Sequence, residues 1–116
     1  VIKAVGDTPV NKFVDERRMK IDEDVLETVR KGLRGAVADE AGTARVVNLP
    51  DIYVAGKTGT AQTSGGRKDH AWFAGYAKGG VRNIVFCVLL EHGGASYNAC
   101  LLTKDLLLRM QEKKIL

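Results

Sequence analysis

The sequence predicts an α+β fold in which an antiparallel sheet of three strands is flanked by helices. Residues 52–91 divide into three extended runs separated by polar, glycine-bearing turns. An amphipathic segment with an acidic start precedes these runs, and a second helical segment follows them. Extended runs joined by short turns are typical of a meander. The 116 residues are enough for one small domain and too few for two.

The first 20 residues are predicted to be extended and irregular. The Gly-Asp-Thr-Pro sequence at residues 6–9 indicates a turn, and residues 10–14 have the composition of a short strand. The charged residues 15–18 are typical of a solvated turn.

The first helix is predicted to begin after Asp22, which is a favourable N-cap followed by two acids that suit the helix dipole. The glycines at 32 and 35 weaken a helix by roughly 0.5–1 kcal/mol each relative to alanine, so we expect close packing there. Gly42 is predicted to terminate the helix, and Gly42-Thr43-Ala44 either stops it or positions the following strand. The predicted apolar stripe consists of Ile21, Val25, Val29, Leu33 and Val37.

The three strands are predicted at Ile52 to about Gln62, at residues 70–78 and at residues 82–91. In the third strand, residues 84–90 are uncharged, which predicts cover on both faces. Three aromatic residues of the second strand are predicted to lie in the core: Trp72, Phe73 and Tyr76. His70, which opens that strand, is predicted to make a local hydrogen bond.

Ser96 is predicted to cap a last helix that covers the sheet. Cys87 and Cys100 are predicted to be buried free thiols, although a compartment outside the cytoplasm would permit them to pair. The predicted buried face of the last helix contains Ala99, Leu102, Leu106 and Met110, widened by Leu101 and Leu108.

The composition argues against two kinds of function. The net charge is +4, but the basic residues are scattered and no aromatic stacking set lies among them, so nucleic acid is not a predicted partner. The two cysteines and two histidines lack the closely spaced ligand pairs of zinc sites, so no metal or cofactor is predicted. No apolar run approaches the ~18 residues of a membrane helix.

The functional signal lies in residues 54–62, Val-Ala-Gly-Lys-Thr-Gly-Thr-Ala-Gln. They place Lys57, Thr58 and Thr60 on a predicted edge strand, beside Gly59, which lets another backbone come close. Such an edge can bind an extended peptide through its backbone while the lysine and the hydroxyls hold a carboxylate. Gly56-Lys57-Thr58 also matches the last residues of a phosphate-binding P-loop. That motif needs a glycine five positions before Gly56, where this sequence has Asp51, so the P-loop alternative is rejected.

These residues resemble the Lys-Thr-Gly motif of penicillin-binding proteins, the serine transpeptidases that cross-link bacterial cell wall. Residues 26–34, 42–44 and 70–77 also resemble segments of that family, in the same order. The resemblance is closest to class B proteins of the wall-elongation type. It implies that residues 1–116 are the C-terminal portion of a transpeptidase domain with the serine β-lactamase/penicillin-binding fold. The first two of the five strands in that fold would precede this chain.

The resemblance implies a role for five residues. Lys57 would carry positive charge toward the substrate carboxylate and the proton-shuttling groups. Thr58 and Thr60 would bind the carboxylate of a D-Ala-D-Ala stem peptide or of a β-lactam. The backbone N–H of Thr60 would be one oxyanion donor, and Gly59 would keep the wall open for the acyl group. Gln62 is either a substrate contact or a plain edge-strand residue.

The chain contains two serines, Ser64 and Ser96, and neither begins the Ser-x-x-Lys sequence that carries the nucleophile in this family. We therefore expect a fragment that is inactive alone and whose partner is the remainder of the domain. Further expected partners are other wall-elongation proteins, at the extracytoplasmic face of the bacterial cytoplasmic membrane. The outer edge of the third strand should be unpaired, which predicts poor independent stability or association.

Two alternatives remain open from the sequence. One is a non-catalytic module that holds anionic peptide termini at its lysine-bearing edge. The other is a β-lactamase or β-lactam sensor domain of the same superfamily.

Overall fold

The computed structural model describes residues 4–5, 8–9, 19–80 and 82–116. A short antiparallel pair, β1 (Ala4–Val5) and β2 (Thr8–Pro9), comes first. The predicted turn residues 6–7, the predicted strand at 10–14 and the charge cluster at 15–18 lie outside the described residues. The elements that follow are α1 (Glu23–Ala38), a 3₁₀ helix (Arg45–Val47), β3 (Tyr53–Ala61), β4 (His70–Lys78), β5 (Asn83–Leu90) and α2 (Ser96–Glu112).

The predicted meander is confirmed. The three strands lie in the order β3-β4-β5, with both pairs antiparallel, and their bounds differ from the predicted ones by no more than a residue at either end. Phe73 at the centre of β4 lies opposite Thr58 on one side and Val88 on the other. Within the described ranges, β3 and β5 each have one outer edge with no neighbouring strand. The α+β class is thereby confirmed.

One face of the sheet, which we call the covered face, packs against α2. Side chains alternate along each strand, so every second residue belongs to this face. Its members are Val54, Gly56, Thr58 and Thr60 on β3, Ala71, Phe73, Gly75 and Ala77 on β4, and Ile84, Phe86, Val88 and Leu90 on β5. Phe73 is fully buried in this core, as predicted.

The helix α2 covers the sheet as predicted, but its predicted buried face was only partly right: Ala99 is buried and Leu108 and Met110 pack against the core, whereas the three other leucines do not. Its fully buried residues are Ala99, Cys100, Thr103 and Leu107, whereas Leu101, Leu102 and Leu106 are 40–47% exposed. The buried stripe thus combines three small side chains with Leu107. Thr103 tolerates burial because its hydroxyl donates to the backbone oxygen of Ala99 at 2.8 Å.

The start of α2 also differs from the prediction. Ala95 is the N-cap residue, and Ser96 is the first helical residue with no capping hydrogen bond from its side chain. In the part of the chain that the structure describes, neither helix has the length and apolarity needed to cross a bilayer.

The opposite face of the sheet, which we call the open face, is exposed along β5 in the described structure, whereas Ala55 on β3 is fully buried. It carries Tyr53, Ala55, Lys57, Gly59 and Ala61 on β3, His70, Trp72, Ala74, Tyr76 and Lys78 on β4, and Asn83, Val85, Cys87 and Leu89 on β5. Val85 is 88% exposed and Leu89 47% exposed. The expected cover on both faces is therefore wrong for the described chain.

Three side chains predicted to be buried lie on this open face. Cys87 is exposed, and only Cys100 is a buried thiol; both cysteines are free. Trp72 and Tyr76 are half-buried instead of belonging to the core. Their alternation with buried neighbours is typical of a half-buried strand, so the run of apolar residues alone overestimated their burial.

The helix α1 packs through its second half only. Asp22 is the N-cap residue as predicted, but its side chain makes no capping hydrogen bond. Of the predicted stripe, Val37 is buried and Leu33 partly buried, whereas Val25 and Val29 are more than half exposed. A methyl group at Gly32 would meet no atom within 4 Å, so the expected close packing at that glycine is wrong.

Gly42 does not terminate α1. The helix ends at Ala38, and the C-cap residue Asp39 donates its N–H to the backbone oxygen of Gly35. A methyl group at Gly42 would lie 2.6 Å from the backbone oxygen of Ala36, so the glycine permits a close approach of the chain to the helix end. That same oxygen accepts the N–H of Ala44 at 2.8 Å.

Candidate active-site strand

Lys57 lies at the middle of β3, an outer strand of the described sheet. Its side chain is exposed on the open face, and Nζ donates to the backbone oxygen of Thr58 at 2.8 Å. The strand therefore holds the ammonium group close to its own outer edge. Free positive charge at a strand edge is suited to binding a carboxylate.

The backbone of β3 presents alternate residues to this outer edge. The Arg34 guanidinium donates to the backbone oxygen of Val54 at 2.7 Å, and the Lys57 ammonium binds that of Thr58. Because peptide groups alternate between the two edges of an antiparallel strand, Gly56 and Thr60 share this orientation. The N–H and C=O of Thr60 therefore point to the edge that carries no strand in the described structure.

The two threonines of the motif differ in accessibility. Thr58 is 7% exposed on the covered face, and its hydroxyl shares a 3.0 Å hydrogen bond with the hydroxyl of Thr43. Thr60 is exposed. The hydroxyl of Thr60 is thus the accessible one, while that of Thr58 already has a partner.

The bond between Thr43 and Thr58 was not predicted. The sequence left open whether Gly42-Thr43-Ala44 stops the helix or positions the strand. Because Thr43 contacts Thr58 and Ala44 is fully buried, the geometry favours the positioning role.

Gly59 and Gln62 complete the set of predicted site residues. A methyl group at Gly59 would lie 3.4 Å from Cβ of Trp72, so this glycine leaves space above the indole on the open face. Gln62 follows the last residue of β3 and is exposed. The substrate contacts predicted for the five residues remain predictions.

Hydrogen bonds link the connection between β3 and β4 to the connection between β5 and α2. His70 accepts the N–H of His92 at Nδ1, at 2.9 Å, so His70 makes a hydrogen bond as predicted, but its partner is 22 positions away and not local. His92 in turn contacts the backbone oxygen of Lys68 through Nδ1, also at 2.9 Å. The N–H of Gly94 donates to the backbone oxygen of Asp69 at 2.8 Å. Sequence reasoning missed the part played by His92, which has a positive φ of 53°.

At the N-terminal end of β3, cation–π contacts between basic side chains and a tyrosine ring connect α1 to the sheet. The Arg34 guanidinium lies 4.7 Å from the centre of the Tyr53 ring, and Lys78 Nζ lies 5.5 Å from it. The ring of Tyr76 stacks beside that of Tyr53 at 6.2 Å, and burial raises the pKa of Tyr76. This cluster fixes the start of the strand on which Lys57 lies.

Comparison with known proteins identifies similar domains. The family model described as "Penicillin binding protein transpeptidase domain" matches residues 2–106. Penicillin-binding protein 3 of Bacillus subtilis (strain 168) is 49% identical over 53 aligned residues, which cover 41% of this chain and 8% of that protein.

A solved structure is also similar. The D,D-transpeptidase domain of a peptidoglycan glycosyltransferase from Eggerthella lenta matches with a TM-score of 0.63 and 27% identity, over 83% of this chain and 22% of that chain. The chain thus spans less than a quarter of the length of either relative.

Proposed function

This chain belongs to the penicillin-binding protein transpeptidase family, and we propose that it forms one wall of the active site in a class B D,D-transpeptidase of the wall-elongation type. In this proposal, residues 1–116 are the C-terminal portion of the domain. The nucleophilic serine comes from a segment of the parent protein outside this sequence, because neither serine here begins Ser-x-x-Lys. The parent acts outside the bacterial cytoplasmic membrane, where the cell wall is assembled.

The proposed reaction transfers an acyl group in two steps. The serine oxygen attacks the carbonyl carbon of the penultimate D-Ala, the C–N bond to the terminal D-Ala breaks, and the serine proton passes to the leaving amine. The amine of a second stem peptide then attacks the resulting ester, the ester C–O bond breaks, and a proton returns to the serine. The products are a new peptide cross-link and one free D-Ala.

In this scheme β3 stabilises the negative charge of the substrate carboxylate and of the reacting carbonyl oxygen. The Lys57 ammonium attracts the terminal carboxylate of the peptide, and the Thr60 hydroxyl binds it. The N–H of Thr60 donates to the carbonyl oxygen as that oxygen gains negative charge. Such an oxyanion donor contributes on the order of 10²–10³ in rate in other acyl-transfer enzymes.

One observation carries this proposal. The Lys57 ammonium sits against the Thr58 carbonyl, at the same outer edge to which the Thr60 backbone points. A cationic group and an oxyanion donor therefore lie three residues apart along one open strand edge. An extended peptide placed along this edge would meet both.

The serine-bearing segment is proposed to lie against the open face. Apolar surface of this kind is normally covered, and Val85, Cys87 and Leu89 are all exposed there. The Lys57 side chain projects from the same face. Cover on the open face would bring the reactive serine next to the lysine.

The proposal is tested by acylation of the full-length parent with a fluorescent penicillin. The Lys57→Ala variant should be acylated about 10- to 100-fold more slowly, because a hydrogen bond to a charged group contributes roughly 1.5–3 kcal/mol. Lys113→Ala is the matched control, since Lys113 is an exposed cation at the C-cap of α2 and not part of β3. Its acylation rate should be unchanged.

Equal acylation of the Lys57→Ala variant and the wild-type parent would refute the assigned role. The same assay separates the two other candidate functions. A parent that takes no label would be a peptide-binding module, and one that rapidly releases hydrolysed penicillin would be a β-lactamase.

A further inference from the structure

Among the hydrogen bonds that join the β3–β4 connection to the β5–α2 connection, one has an acceptor that can be protonated. The N–H of His92 donates to Nδ1 of the His70 ring at 2.9 Å. The other acceptors are the backbone oxygens of Lys68 and Asp69, which bind Nδ1 of His92 at 2.9 Å and the N–H of Gly94 at 2.8 Å. A backbone oxygen remains an acceptor when the solution becomes mildly acidic, whereas an imidazole nitrogen does not.

The bond from His92 defines the protonation state of the His70 ring. A ring nitrogen accepts a hydrogen bond only through a free lone pair, so Nδ1 of His70 is unprotonated and the proton of the neutral ring lies on Nε2. An imidazolium carries a proton on both nitrogens and has no acceptor. Protonation of His70 therefore removes the acceptor of the His92 N–H.

The ring of His92 responds differently to a proton. Its Nδ1 faces the backbone oxygen of Lys68, so this nitrogen carries the proton and donates. A second proton binds to Nε2 and leaves the donor at Nδ1 in place. The pH sensitivity of the link therefore lies in the His70 ring.

The two rings and a neighbouring carboxylate favour release of His70 once it is charged. The ring centres of His70 and His92 lie 4.8 Å apart, so two imidazolium charges would repel each other. Ala71 pairs with Leu90, so the next residues outward, His70 and Glu91, leave the sheet side by side. The Glu91 carboxylate gives an imidazolium an alternative partner. Among the described residues, neither histidine takes part in an ion pair.

The other charged groups near His70 lie on the connection that precedes it. Arg67 and Lys68 are exposed cations, and the Asp69 carboxylate accepts the N–H of Thr63 at 3.3 Å. The end of β3 and the first turn of α2 contribute no charged side chain. The two cations outnumber the carboxylate, so an imidazolium held at this place would be repelled.

The link lies beside the candidate active-site edge. Thr60 pairs with Ala71, the residue that follows His70. A methyl group at Gly93 would lie 3.3 Å from Cβ of Ala71, so the β5–α2 connection closely approaches the same end of the sheet. Loss of the bond from His92 to His70 therefore loosens the end of the sheet on which Thr60 lies.

We propose that His70 and His92 form a pH-sensitive link between the β3–β4 and β5–α2 connections. At neutral pH the His70 ring accepts the His92 N–H, and the connections are held together. Mild acid protonates His70, the bond is lost, and the end of the sheet beside Thr60 becomes more mobile. Histidine is suited to this role because its charge changes between about pH 5 and 8. The response is independent of the proposed function, because it involves no substrate.

Hydrogen exchange in the full-length parent, measured at about pH 7.5 and about pH 5, tests the link. The measured quantity is the protection factor, which corrects for the effect of pH on the exchange chemistry itself. In the wild type, the protection factor of the His92 amide should fall by about 10-fold or more in acid, because this amide loses its hydrogen bond. Amides of residues 84–89 in β5 should keep their protection and serve as the control for global unfolding.

Two substitutions by asparagine separate the two rings. His70→Asn keeps an acceptor oxygen near the position of Nδ1 and cannot be charged, so the protection of the His92 amide should be the same at both pH values. His92→Asn is the matched control. It keeps a side-chain N–H donor and tolerates the positive φ of 53°, so it should show the wild-type fall in protection.

Equal protection of the His92 amide at both pH values in the wild type would overturn the proposal. A fall that persists in His70→Asn, or one that disappears in His92→Asn, would overturn it as well, because the response would then not depend on the His70 ring. If His70→Asn folds poorly, the nitrogen chemical shifts of the wild-type histidine rings decide. Nδ1 of His70 should gain its proton over the pH range in which the amide loses protection, and a ring that stays neutral while protection falls contradicts the link.

Discussion

The two faces of the sheet are built from the same three strands and differ in what covers them. On the covered face, Val54 and Phe73 are fully buried beneath α2. On the open face, Val85 is 88% exposed, although it comes from the same apolar run of β5. The difference shows that both faces of β5 are apolar, and that the described chain covers only one of them. Lys57 projects from the side that the chain leaves open.

The largest expected effect comes from the covered face. Phe73→Ala should lower the free energy of unfolding of the isolated chain by about 3–5 kcal/mol, because it removes a fully buried aromatic ring and leaves a cavity. Leu89→Ala on the open face should cost less than about 1 kcal/mol, because that side chain is already 47% exposed. Urea denaturation measures both. Equal losses would show that the faces do not differ as described.

A smaller effect distinguishes the isolated chain from the full-length parent. Val85→Lys should change the unfolding free energy of the isolated chain by no more than about 0.5 kcal/mol, because the residue is exposed. In the parent it should cost about 1–3 kcal/mol, since the proposed cover would bury a charge without a partner. Thermal or urea unfolding of both proteins checks this. A negligible effect in the parent would mean that the open face stays in solvent.

Much of the fold could be predicted from the sequence. The strand bounds followed from turn residues and alternation, which depend on local chemistry and are visible in a single chain. The candidate site strand was predicted because Lys57 and its neighbours form a short motif in one extended run, and its role stays a prediction. The family that the motif and its flanks predicted is confirmed.

The errors concern which of two equally apolar surfaces is buried. In α2, Leu102 and Leu106 recur with the same helical spacing as Thr103 and Leu107, so periodicity alone could not choose between the stripes. The choice depends on how the helix packs on the sheet, which local periodicity does not contain. The folded chain buries the stripe that contains Ala99, Cys100 and Leu107.

The unpredicted contacts at the site join residues distant in sequence. The hydroxyl pair of Thr43 and Thr58 spans 15 positions, and the bond from His92 to His70 spans 22. Their side chains are common in loops, and only the folded chain brings them together.

The central claim is that the open face, with Lys57 on it, is covered by the serine-bearing remainder of the parent. The two cysteines test this directly through their rates of labelling by a thiol reagent. In the isolated chain Cys87 should react readily, whereas Cys100 should react slowly because it is buried and burial raises its pKa to about 11.

In the full-length parent, Cys87 should be protected by at least about 100-fold relative to the isolated chain, because its labelling would then require local opening. Cys100 serves as the internal control, since it should be slow in both folded proteins and fast only after unfolding. Equal labelling rates of Cys87 in the parent and in the isolated chain would contradict the account.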